Sequence, residues 1–317
     1  MNLIPHFKGH ALLKLDYHLP FMSLSRVAFV ISMVAMAGSL IVWAMVGLNY
    51  GVDFKGGSMI ELRSKSGPAS IADLRNRTSG IGLGDVQVTG FGQPEDVLVR
   101  VEQQPGGPEK QQEALSKIIQ AVGDGYEVRR QEVVGPAVSS ELRQTGMIAV
   151  LCSILAIITY VWFRFEWQFA IGAVIALTHD VLITIGVFSL FQIAFDLSTV
   201  AALLTILGYS VNDTVVVFDR IRENLRKFKR MEVAELLNLS INETLSRTLM
   251  TSLTTIVVLV TLFVLGGEVI HNFTFAMLFG VIIGTYSSIF IASPILQYLG
   301  VKRDWSGVTK GASVASS

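Results

Sequence analysis

The chain has 317 residues, 51% hydrophobic and 16% charged, with 25 basic side chains balancing 25 acidic ones and a single cysteine. Soluble domains carry roughly 25% charged residues, and here the apolar residues gather in runs near the roughly 20 that cross a bilayer as a helix, which excludes an all-soluble protein. Cys152 has no partner for a disulfide within the chain, and the balanced charge gives no sign of a nucleic-acid partner.

Six segments read as spanning helices: Val27 to Leu48, Met147 to Phe163, Phe169 to Phe191, Leu197 to Phe218, Thr248 to Leu265 and Phe275 to Leu296. Each must be helical, because hydrocarbon offers no water to satisfy the backbone. The first follows Arg26 and contains Ala35-Met36-Ala37, a combination seen in cleaved signal peptides. Its apolar run continues to Leu48, so it reads as an uncleaved anchor.

Between the first and second runs, the polar stretch from Tyr50 to Gly146 is long enough for a domain. Ser58 to Arg63 alternates as a strand, Ile71 to Arg77 reads as a short helix, and Asp85 to Thr89 and Val97 to Val101 alternate again. Gly90, Gly92 and Pro94 supply the turn between the last two. Pro108 to Val122 places Ala114, Leu115, Ile118, Ile119 and Val122 on one helical face, and Tyr126 to Val134 is a last strand. Strand, helix, strand, strand, helix, strand is the α+β order of ferredoxin-like domains. The stretch has no histidine, cysteine or phosphate-binding glycine loop, so binding or leverage fits it better than catalysis, and neither metal nor cofactor is expected.

Orientation follows from the short loops. Lys8, Lys14 and Arg26 precede the first span, Arg164 follows the second, and Arg220, Arg222, Arg226, Lys227, Lys229 and Arg230 follow the fourth. Lys302, Arg303 and Lys310 follow the sixth, whereas Gln192 to Asp196 and Gly266 to Asn272 hold no Lys or Arg. Both ends and the Arg220 to Arg230 loop are therefore expected in the cytoplasm.

Ionisable groups inside spans are costly and point to function. Asp213 follows Asn212 in the fourth span, roughly 8 Å to the cytoplasmic side of its middle at about 1.5 Å per residue. It is a candidate proton carrier or a cap for a polar contact. Thr205, Gly208 and Asn212 stack on an adjoining face that reads as turned toward protein. Arg247 opens the fifth span, with Thr251, Thr254 and Thr255 continuing a polar stripe inward. It reads either as a functional cation or as a positive-inside residue paired to Glu243 at i−4. His179 and Asp180 sit at the centre of the third span, where Gly172, Ala176, Asp180 and Thr184 recur every four residues. Proton handling and a structural hydrogen bond both fit Asp180. In the last span Gly280, Gly284, Ser288 and Ala292 recur likewise, a pattern for close helix packing. No ATP-binding motif is present, so any work draws on an ion gradient or a partner.

Several strings together resemble the SecF family of bacterial protein-export subunits. They are Gly51-Val52-Asp53-Phe54-Lys55-Gly56-Gly57, Val134-Gly135-Pro136, Phe163-Arg164-Phe165-Glu166-Trp167, Ala176-Leu177-Thr178-His179-Asp180, Gly208 to Asp213 running on to Asn224, and Arg247-Thr248-Leu249. The resemblance implies an α-helical membrane protein with six transmembrane helices, half of an RND-like bundle, and an inserted ferredoxin-like periplasmic domain. The implied organisation is a cytoplasmic N-terminus over 1–26, a first helix over 27–48 and the periplasmic domain over 49–146. Helices two to six then fill 147–299, with a cytoplasmic loop at 219–247 and a tail at 300–317.

It further implies a proton path at Asp213 and Arg247, and Asp180, which matches the His-Asp string, stays a candidate relay residue from its place in the span. Helix packing is expected of Gly280, Gly284, Ser288, Gly208 and Asn212, and a hinge of Asp53, Phe54, Gly56, Gly57, Gly135 and Pro136. The implied activity is use of the proton motive force to promote late stages of protein export across the inner membrane. The implied partners are SecD, the SecYEG channel, SecA, YajC, YidC, exported preproteins and membrane lipid. A half-size RND-type efflux transporter is the alternative. An intramembrane aspartyl protease built on Asp180 and Asp213 would require a shared site for the two carboxylates, about 8 Å apart in depth by position.

Overall fold

The computed structural model describes residues 19–301. Six of its helices are long and apolar enough to cross a membrane. In chain order the helices are α1 (Phe21–Val46), α2 (Val52–Lys55), α3 (Ile71–Ser79), α4 (Pro108–Val122), α5 (Pro136–Arg164), α6 (Trp167–Leu190), α7 (Leu197–Lys227), α8 (Val233–Leu265), α9 (His271–Ser287) and α10 (Ser293–Tyr298). The strands are β1 (Asn49–Tyr50), β2 (Gly57–Ser64), β3 (Val86–Phe91), β4 (Gln93–Val101), β5 (Tyr126–Val134) and β6 (Ala194–Phe195).

The domain between the first two spans has the expected element order, and its four-stranded sheet runs β3-β4-β2-β5, all neighbours antiparallel. That is two split βαβ units interleaved, the ferredoxin-like arrangement. Ile60 and Leu62 of β2 and Val97, Val99 and Val101 of β4 alternate onto one face, where Leu74 of α3 and Leu115 and Ile118 of α4 cover them. The opposite face bears Met59, Glu61, Leu98 and Arg100 and looks toward the outer end of the spans. Gly57 has φ 118°, and a Cβ there would come within 2.4 Å of the Val101 carbonyl oxygen, so only glycine lets β2 begin so close to the end of β4.

The spans differ from the expected boundaries at their polar ends. α5 starts at Pro136, in the first turn, rather than at 147, so residues counted with the external domain are helical. Hydropathy marks only where a helix enters hydrocarbon, and Glu141, Arg143 and Gln144 extend this helix above it. Most of 219–247, expected as a loop, belongs to helices too: α7 runs to Lys227 and α8 begins at Val233. Ile221, Leu225, Leu236, Leu237 and Ile241 are buried there, and Asn224 Nδ2 donates to Ser240 Oγ at 3.0 Å and to Glu243 Oε2 at 2.7 Å. Charge alternating with an apolar stripe made an amphipathic helical hairpin read as a basic loop.

The sixth span is α9 and α10 joined by a π-helical turn, Ser288–Ala292. Pro294 lacks the N–H that would bond back to the preceding turn, and the wider turn accommodates the gap. Ser293 Oγ donates to the Ser288 carbonyl at 2.8 Å across it. Lys8, Lys14, Lys302, Arg303 and Lys310 lie outside the described residues.

Candidate functional site

Asp180 of α6, Ser210 and Asp213 of α7, Ser252 of α8 and Ser287 of α9 are buried polar residues of the spans. α7 is started by Asp196, whose Oδ1 accepts from the Thr199 amide at 2.8 Å while the Thr199 hydroxyl bonds back to the Asp196 backbone, a capping box. Nearly five turns further along, Asp213 is 2% exposed and, among the described residues, its Oδ2 has no hydrogen-bond partner. The hydroxyls of Ser252 and Thr251 and the guanidinium of Arg247, all on α8, face this carboxylate. Among the described residues no Asp213–Arg247 ion pair of 4.0 Å or less is formed. Glu243, the expected i−4 partner of Arg247, instead takes Arg220 Nε at 2.9 Å. Arg247 is exposed and, among the described residues, forms no ion pair of 4.0 Å or less.

Asp180 stands apart from Asp213 by its partners. It is fully buried, and its Oδ2 accepts from Ser210 Oγ of α7 at 2.6 Å and from Ser287 Oγ of α9 at 2.9 Å. Its Oδ1 lies 2.9 Å from His179 Nδ1. His179 stacks on Tyr286 with ring centroids 6.0 Å apart, and Tyr286 in turn donates to the Ala28 carbonyl at 2.8 Å. The two adjacent residues are both buried, Asp180 against α7 and α9 and His179 beside Tyr286 of α9. Asp180 joins three helices through four side chains, whereas Asp213 keeps an oxygen free. A shared carboxylate site of the protease type is absent among the described residues, since the two acids contact different groups.

The predicted packing glycines divide. A Cβ on Gly280 would fall 2.3 Å from Ile206 Cδ1, and one on Gly284 would fall 3.0 Å from Ser210 Cβ, so this stripe lays α9 directly on α7. Ser288 is buried at the start of the π-helical turn. Among the described residues nothing lies within 4 Å of a Cβ built on Gly208, and Asn212 is exposed. Their periodicity marks a face, and the sequence does not say whether the cover comes from the same chain.

Asp53 and Phe54, two of the residues expected as a hinge, form a joint with the bundle. Asp53 Oδ2 accepts from the Leu197 amide at 2.9 Å, at the first residue of α7. β1 pairs in parallel with β6, the two-residue strand just before α7, and Gly51 donates to the Phe195 carbonyl at 2.8 Å. Phe54 is buried against Phe195 with ring centroids 6.0 Å apart. Gly56 has φ 75°, and Gly135 leads in extended conformation to Pro136. Arg100 of β4 reaches into the cleft above, shared with Asp53 and Asp196. Burial lowers its pKa while both carboxylates pull it back up. Sequence reading missed β1, β6 and the serines on Asp180. Two-residue strands carry no period, and Ser210 and Ser287 lie in apolar runs where serine is unremarkable.

Comparison with known proteins gives a family. Residues 114–302 match the model described as "Protein export membrane protein SecD/SecF, C-terminal", and residues 41–67 match "SecD/SecF GG Motif". The protein translocase subunit SecF of Cereibacter sphaeroides is 48% identical, covering 90% of this chain and 91% of that one. SecF of Vibrio alginolyticus is 45% identical over 92% of this chain and 93% of its own. The SecDF subunit of Brucella abortus is 43% identical over 90% of this chain but 38% of its own length. The crystal structure of SecDF from Thermus thermophilus superposes with a TM-score of 0.82 at 36% identity, covering 91% of this chain and 40% of that one. The chain thus spans about two fifths of the solved SecDF chain.

Proposed function

The chain belongs to the SecF family of protein translocase subunits, and we propose that it couples proton movement at Asp213 to a late step of protein export. It is a multi-pass membrane protein and an accessory subunit of the Sec translocase, with SecD as its partner. The observation that carries the proton reading is the unpartnered Oδ2 of a carboxylate 2% exposed inside a spanning helix. A buried acid with an open acceptor is poised to take a proton, and a fully bonded one like Asp180 is poised to hold helices together.

The mechanism follows from the geometry. A proton arriving at Asp213 removes its charge and with it the attraction of Arg247. The polar groups of α7 and α8 then lose the field that held them facing each other, and the two helices are free to repack. Because Asp53 bonds to the first residue of α7, movement of this helix is delivered to the external domain through the joint. Release of the proton to the other side restores the charge and resets the pair. Asp180 ties α7 to α6 and α9, so these three helices move as one unit against α8.

The exposed faces support a larger assembly. Among the described residues Gly208 and Asn212 on α7 and Arg247 on α8 are exposed, and hydrocarbon is a costly solvent for the amide and the guanidinium. SecD spans would cover that face and complete the bundle. SecYEG, SecA, YajC, YidC and the exported preproteins belong to the same proposal, as do residence in the inner membrane and cytoplasmic termini. Processing rates of secreted precursors in cells whose only copy is Asp213→Asn test the reading, with membrane levels checked. Slow processing at normal level is expected; unchanged processing would remove Asp213 from the mechanism.

A further inference from the structure

A cavity of about 430 Å³ lies at the end of the bundle nearest the sheet, between α1, α5, α6 and α7. Its walls are apolar, with Phe54, Val150, Ile185 and Leu203 among them. The side chains at its mouth are Trp43, Met147 and Leu151, all exposed although they belong to spanning helices. The medium outside that mouth is therefore hydrocarbon. One lining residue is charged: Arg143, an exposed residue one turn before Met147, with no ion pair among the described residues. Tyr50 and Trp43 line the same end, as side chains of a membrane–water boundary do.

We propose that this cavity holds an acyl chain of an anionic phospholipid from the leaflet on the side of the sheet domain, with its phosphate on Arg143. The volume falls in the roughly 300–1,000 Å³ range of small-molecule sites. A slot of this size takes a chain but not a helix, which is about 10 Å across with its side chains, so a partner span does not fill it. An empty apolar slot forfeits the dispersion contacts that a lipid tail restores. A zwitterionic headgroup neutralises its own phosphate, whereas an anionic one leaves a net charge for Arg143. The tail would rest on Phe54, which packs on Phe195, and so it would brace the joint between the two parts of the chain.

The test uses the full chain with Trp162, Trp167 and Trp305 changed to Phe, leaving Trp43 as the reporter in vesicles. Phosphatidylglycerol with brominated acyl chains is titrated against brominated phosphatidylcholine. Phosphatidylglycerol is expected to quench Trp43 at about five-fold lower mole fraction, the preference one basic group gives. Arg143→Gln should merge the two curves. Gly146 lines the cavity and an added Cβ meets nothing closer than 3.8 Å, so Gly146→Leu enters the slot without a backbone clash. That variant should bring both lipids down to their bulk proportion, with thermal unfolding confirming that it is folded. Equal curves in the parent chain, or a preference that survives Gly146→Leu, would overturn the site. Native mass spectrometry of the complex with SecD gives a second reading: one retained phospholipid supports it, and no difference between the parent and Gly146→Leu counts against it. Neither arm depends on export, so it can fail while the role of Asp213 stands, and the reverse.

Discussion

Asp53 accepts a hydrogen bond from the Leu197 amide at 2.9 Å, so the segment leaving the first span caps the helix that carries Asp213. A free amide at a helix start is one of four that the helix cannot satisfy itself. Supplying the acceptor from a distant segment makes a structural tie out of a local need, and it places the external domain in direct mechanical contact with α7.

Asp53→Ala should therefore lower thermal stability by about 1 kcal/mol and speed hydrogen exchange in the first turn of α7. Asp53→Asn keeps an acceptor oxygen and should recover most of the loss. Exchange confined to β2 with α7 unaffected would show that the tie is unimportant.

Asp180→Ala leaves the Ser210 hydroxyl without its acceptor in a fully buried place, whereas Ser287 keeps the Gly284 carbonyl at 3.1 Å. An unsatisfied buried group costs about 1–3 kcal/mol, so the protein should accumulate poorly in membranes. Asp180→Asn retains one acceptor oxygen and should reach near-normal levels with export nearly intact. A strong export defect in Asp180→Asn at normal level would instead put Asp180 in the proton path.

Gly280→Ala and Gly208→Ala make a matched pair. The first places a Cβ against Ile206 and should destabilise the bundle by about 1–3 kcal/mol. The second meets nothing within 4 Å among the described residues and should leave the unfolding of the chain unchanged. Gly208→Leu should weaken association with SecD without affecting the isolated chain, read by co-purification.

In the sheet domain Arg63 donates from Nε and Nη2 to the two Asp96 oxygens, each at 2.6 Å. These bonds hold the Asp96 carboxyl below its usual range, against the opposing effect of burial. A lowered folded-state pKa contributes stability above the unfolded value of about 3.9 and loses it as pH falls through the folded one. Opening of β4, followed by hydrogen exchange, should become easier as the medium is acidified below that unfolded value. Arg63→Gln should flatten this dependence, and an equal slope in both proteins would assign it elsewhere.

How much of this was legible in the chain follows from the range of each signal. The six spans, the ferredoxin-like order and the position of Asp213 are local properties. Hydrophobic runs, two-residue alternation and a carboxylate within an apolar run are each visible in a window shorter than a helix. The same locality explains the misplaced ends: the outer turns of α5 and the hairpin of α7 and α8 lie beyond the hydrocarbon, where hydropathy has no reason to mark a helix.

What the tertiary structure alone decided are relations between residues distant in sequence. Asp180 meets Ser287 across 107 positions and Asp53 meets Leu197 across 144. Gly280 packs while Gly208 does not, although both sit in small-residue stripes. A stripe records that a face needs a close neighbour. Which helix supplies it depends on how the spans are arranged around one another, and that arrangement distinguishes the carboxylate that clasps from the one left open.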